Sequence, residues 1–167
     1  MQRLIVLIAV VATAWFGWRY LFPSDEAQIR SALERIADAV GSDGERGAVA
    51  HIARAASMRN ELDPEIVVEA GPPFSRMTGR DAVVGAVARL NATLPDLEVD
   101  LSDVQVTVAP DRTTARGSLT VDAQFRDERG ERVRDARELE LTFRRLDGDW
   151  VVTQVTLVRA LTPVTPR

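Results

Sequence analysis

Few side chains in this chain could move a proton, and their spacing does not bring them together. His51 is the sole histidine; as a general acid or base it needs a carboxylate beside it. The acids that could serve are Glu69, closing a β-rich run, and Asp135, which shares strand parity with Arg137 and Leu139. Each has a plainer reading: a histidine at the edge of a helix face, and charged groups solvated near strand ends. There is no cysteine, so no thiolate, disulfide or Cys-based metal site exists, and one histidine cannot make a zinc site unaided. All 21 basic residues are arginine, which excludes a lysine Schiff base and the phosphate-gripping lysine of a P-loop. No cofactor, no metal and no defined catalytic set is the expectation, and the balance leans away from an enzyme.

Charge narrows the partners. The net charge is −4, and the arginines alternate with acids, as in Arg126-Asp127-Glu128-Arg129-Gly130-Glu131-Arg132. A basic stripe would mark nucleic-acid binding, and none is visible.

The elements that would position these residues begin after a greasy leader. Leu4 to Phe22 carries a single charge, Arg19, and about 19 residues make roughly 28 Å of helix, close to a bilayer's hydrocarbon thickness. Trp15, Phe16, Trp18, Tyr20 and Phe22 form an aromatic belt at one end. Residues 1–23 therefore read as a transmembrane anchor, with Arg3 inside and the domain outside, periplasmic in a bacterium. The rival is a signal peptide cleaved after Ala12-Thr13-Ala14, which would leave an apolar core of only about 10 residues.

Residues 24–160 read as one domain and 161–167 as a flexible tail. Ser24 caps a helix carrying Ile29, Leu33, Ile36 and Val40, with Gly41 as its stop. A second helix places Ala48, Val49, Ile52 and Ala56 on an inward face. Pro64 breaks the chain before the strand Glu65 to Glu69, and Thr78-Gly79-Arg80-Asp81 has the capping-box form ahead of a third helix. Beyond Pro95 the period becomes two. Val99 and Leu101 are odd while Val104, Val106 and Val108 are even, which predicts a bulge near Ser102-Asp103. Asp147-Gly148 predicts a tight hairpin. The last strand, from Trp150, is apolar on both faces, which fits a covered strand or an oligomer interface.

This order is that of an α+β domain with helices packed on one face of a strongly bent antiparallel sheet. The chain resembles the NTF2-like superfold, which includes ketosteroid isomerases and SnoaL-type polyketide cyclases. Ile66-Val67-Val68-Glu69, Met77-Thr78-Gly79-Arg80-Asp81-Ala82-Val83, Leu139-x-Leu141-x-Phe143 and Asp147-Gly148-Asp149-Trp150-Val151-Val152 carry the resemblance. It implies a pocket between helices and sheet, lined by Ala70, Phe74, Leu119, Val121, Leu139, Leu141 and Phe143. It also implies where an isomerase base would stand, and that position holds Ala70. The one tyrosine is Tyr20 in the leader, so a phenolic oxyanion donor is missing from the domain. The expected role is binding of a partner protein or an apolar small molecule, with a homodimer through the sheet. The alternative is a lyase or isomerase built on His51 with Glu69 or Asp135.

Overall fold

A computed structural model describes residues 23–42, 48–70, 76–94, 96–127 and 129–161. Helix α1 (Asp25–Val40) starts where Ser24 accepts a hydrogen bond from the Ala27 N–H at 3.2 Å, with Asp25 and Glu26 favouring its positive end. It stops at Gly41 in extended backbone, with a φ of −64°. Ser42 then latches the end of α1 to Leu94 and Leu97, 52 and 55 residues further along the chain. Its hydroxyl donates to the Leu94 carbonyl at 2.9 Å and accepts the Leu97 N–H at 2.7 Å. Buried Asn91 donates to the Ala39 carbonyl at 3.1 Å in the same region.

Helix α2 (Ala48–Ser57) turns the opposite way from the expected one. Val49 is 82% and Ile52 61% exposed, while His51 and Ala55 are buried. The sequence AVAHIARAAS carries its two larger aliphatic side chains, Val49 and Ile52, on the exposed side, so contacts with neighbouring elements and not its apolar stripe set its inner face. Arg54 fixes that choice by donating to the Asp38 and Gly41 carbonyls at the end of α1.

A 3-10 turn (Met58–Glu61) leads into β1 (Leu62–Glu69). The strand begins before Pro64 instead of after it. Its pairing with the last strand shifts register between Leu62 and Val67, and this irregular stretch tolerates a residue with no N–H to donate. The short β2 (Met77–Thr78) pairs back on β1, and α3 (Arg80–Thr93) follows. The Thr78–Asp81 capping box is not formed. Gly79, at φ 93°, is the N-cap without a side-chain hydrogen bond, and Asp81 pairs with Arg59 at 2.5 Å.

Strands β3 (Glu98–Val108), β4 (Thr114–Arg126), β5 (Arg132–Leu146) and β6 (Asp149–Leu161) complete a six-stranded sheet in the order β2-β1-β6-β5-β4-β3. The sheet is mixed, not wholly antiparallel, because β1 lies parallel to β6. Register slips between Ser102 and Gln105 against β4, where Asp103 takes a φ of 52°, and twice more between β5 and β6. Such bulges bend a sheet. Asp147 and Gly148 both have positive φ, the backbone of a tight hairpin turn whose twist suits the strands.

The bulges also account for the two-faced look of β6. Phe143 pairs with Val152 and Leu141 with Val155, so two valines three apart both face the helices. Val151, on the other face, is buried although no helix covers it. Arg144, its partner on β5, pairs with Asp63 on β1, so the arginine stem crosses β6 and roofs Val151. The rest of that outer face is polar, with Gln105, Ser118, Glu140 and Thr156 in one row.

The anchor expected over residues 1–23 falls, up to Phe22, outside the described residues, as do Phe74 and residues 162–167 of the tail. Among the described residues no helix is long and apolar enough to cross a membrane.

Candidate functional site

Packing α1, the 3-10 turn and α3 over the inner sheet face leaves a cavity of about 240 Å³. Leu33, Ile36 and Val40 enter from α1, Met58 from the turn, and Val83 and Val87 from α3. The sheet side includes Leu101, Leu119, Val121, Leu139, Leu141 and Val155. Every lining side chain is apolar, so among the described residues nothing in the wall can exchange a proton, and a single soft thioether, Met58, makes no metal site by itself. Several of the same residues, including Leu33, Met58, Leu119 and Leu141, belong to the buried core. The cavity is thus a gap in the core, with walls held by the fold's own packing.

The strand positions named from alternation divide. Leu119, Val121, Leu139 and Leu141 line the cavity. Phe143 does not: it is buried, with its ring packed against the bare backbone of Gly117. Ala70, just past β1, is half-buried and outside the lining. The helical half of the wall was not singled out from sequence, although the 3.6-residue spacing of Leu33, Ile36 and Val40 is the signal that finds it.

The three proton-handling candidates stay apart. His51 is 7% exposed and its Nδ1 has no hydrogen-bond partner among the described residues. Helix α2 packs on α1, α3 and the 3-10 turn, with no strand as a neighbour, so neither acid on the sheet reaches it. Glu69 pairs with Arg76 at 3.5 Å across the base of the β1–β2 connection. Asp135 pairs with Arg137 at 2.8 Å on the inner face of β5. Among the described residues no cluster of His, Asp and Glu forms a metal site.

Two buried carboxylates are structural. Asp25 accepts from Arg112 Nε at 2.6 Å and Trp150 Nε1 at 3.3 Å, and lies 3.2 Å from an Arg145 Nη. The Arg112 hydrogen bond, helped by Trp150 and Arg145, outweighs burial and holds its carboxyl below the usual range. For Asp63, burial pushes the carboxyl up. The Arg144 hydrogen bond and the Glu65 N–H at 2.9 Å push harder the other way, and the net shift is downward. Neither group lines the cavity. A larger groove of about 400 Å³ crosses the outer sheet face among Gln105, Thr107, Arg116 and Glu140. Its lining is mostly polar side chains and offers little apolar driving force.

Helices α1 and α3 over a bulged mixed sheet, with α2 packed on the helices and an apolar pocket between helices and sheet, make an α+β domain. Residues 24–156 match the SnoaL-like domain family, and the chain belongs to it. No curated protein matches it by sequence. Among solved structures, a provisionally assigned aromatic ring hydroxylase from Novosphingobium aromaticivorans superposes with a TM-score of 0.68 at 17% identity, over 84% of this chain and 92% of that one. A provisionally assigned dehydratase of the NTF2-like family from Streptomyces avermitilis gives 0.61 at 17% identity, over 78% and 92%. A protein with a cystatin-like fold from Caulobacter vibrioides gives 0.57 at 19% identity, over 79% and 88%. These likenesses establish the fold alone.

Proposed function

We propose that this domain binds a compact apolar molecule without transforming it, on the outer side of a membrane to which the leader tethers it. The supporting observation is the wholly apolar wall of the cavity beside the separation of His51 from every strand. Size narrows the ligand. At about 240 Å³ the space exceeds the ~150 Å³ that accepts benzene and falls short of the ~300 Å³ where drug-sized sites begin. A single or fused ring, or a branched chain of similar bulk, fits. The second reading, a lyase or isomerase, draws support from the fold likeness to a provisionally assigned dehydratase, but the cavity supplies no acid–base pair.

Methyl-resolved NMR of the full-length protein, titrated with naphthalene, tests the binding reading. Saturable shifts at Leu119, Leu139 and Leu141 are expected, and unmoved methyls would sink it. Protease protection in sealed spheroplasts and membrane fractionation test the tether: the protein should sediment with membranes and be cut from outside.

A further inference from the structure

Two rows of inner-face side chains begin as cavity wall and end in charge. Leu101 pairs with Val121 and Val121 with Arg137; Val99 pairs with Ala123 and Ala123 with Asp135. Leu101, Val121 and Val99 line the cavity, so Arg137 and Asp135 stand on the same face just beyond its wall. Arg134 and Glu140 sit at even positions on the outer face, and Arg134 bonds Asp122 at 2.9 Å. Arg137 and Asp135 instead face inward and are each about one-third exposed, at 32% and 34%. Arg137 spends only its Nε on Asp135, at 2.8 Å. Among the described residues its Nη groups make no hydrogen bond. A guanidinium held by one edge presents the other as a fork suited to a carboxylate.

We infer that Arg137 is the head-group subsite of this cavity, and that the ligand is an amphipathic carboxylic acid whose apolar body fills the space between helices and sheet. The inference rests on the cavity-binding reading and adds the ligand's charge. Asp135 has a double role: it orients the guanidinium through Nε, and its own negative charge weakens the bound carboxylate. The two residues therefore act with opposite sign, which a merely structural ion pair would not do.

The test uses full-length protein in lipid nanodiscs, with 2-naphthoate and its uncharged methyl ester as probes and methyl NMR at Leu139 and Val121 as the readout. Wild type should bind the acid about 10-fold more tightly than the ester, as a charge-assisted hydrogen bond implies. Arg137→Gln should remove that advantage and leave ester affinity unchanged. Asp135→Asn should tighten acid binding several-fold. Equal loss of both probes in Arg137→Gln, or weaker acid binding in Asp135→Asn, overturns the subsite while the cavity reading stands. Failure of both probes to move any methyl overturns the cavity reading itself. Should Arg137→Gln not fold, salt dependence of the wild type decides: acid binding must weaken with added salt while ester binding stays flat, and a flat acid response overturns the subsite.

Discussion

Gly117 offers a sharp test of how tightly the core beside the cavity is packed. It sits on the inner face of β4 between Val106 and Leu141. A Cβ built there would stand 3.1 Å from the Gln105 carbonyl oxygen and 3.2 Å from Phe143 Cε2. Both neighbours are poorly placed to yield. The carbonyl is backbone beside the β3 register slip, and Phe143 is 1% exposed. Replacing glycine by alanine in a strand ordinarily relieves about 0.5–1 kcal/mol of chain entropy, whereas overpacking a core costs about 1–3 kcal/mol. Gly117→Ala should therefore lose about 0.5–2 kcal/mol. Gly85, inside α3 with nothing within 4 Å of the built Cβ, is the matched control. There the same substitution should gain about 1 kcal/mol. Thermal unfolding followed by circular dichroism reads both, at about 3–5 °C per kcal/mol for a domain of this size. A Gly117→Ala protein as stable as wild type would mean that Phe143 moves freely, and the claim of tight packing between Phe143 and Gly117 would fall with it.

Other outcomes follow from the buried groups. Because the Asp25 and Asp63 carboxyls are held below the ordinary range, their contribution is present in full above the unfolded value of about 3.9 and is lost as pH falls through the folded value. Asp63→Asn should accordingly be less stable than wild type in urea at neutral pH, with the gap narrowing in acid; a gap that widens in acid would contradict the assignment. His51→Leu removes a buried nitrogen that has no partner among the described residues, so stability should hold or rise and naphthalene titrations should be unchanged. Loss of binding in that variant would place His51 at the site after all.

The legible parts of this fold were those set by neighbours close in sequence. Ser24 at the head of α1, the slip near Ser102-Asp103 and the Asp147-Gly148 turn are local chemistry, and each appears as its residues dictate. Alternation likewise placed Leu119, Val121, Leu139 and Leu141 on the inner face. What distance in the chain decides was not legible. The parallel pairing of β1 with β6 joins Val68 to Val155, and no short-range signal announces it. The facing of α2 depended on where Arg54 found carbonyls on α1. Phe143 has the right parity to line a pocket, yet the missing side chain at Gly117 lets its ring sink into the core. The cavity itself is a remainder, the volume left when helices meet sheet, and no single residue spells it.

The way α1 is fastened has a mechanical corollary. Asp25 opens that helix and is bound at once to Arg112 in the β3–β4 turn and to Trp150 on β6, while Gln28 holds the Pro23 carbonyl at 2.9 Å. A pull arriving through Pro23 is thus handed straight to the strands, and the first turn of the helix cannot peel off as a slack hinge. From Asp25 inward, the start of the helix and the sheet move as one body, like a blade fixed at its tang.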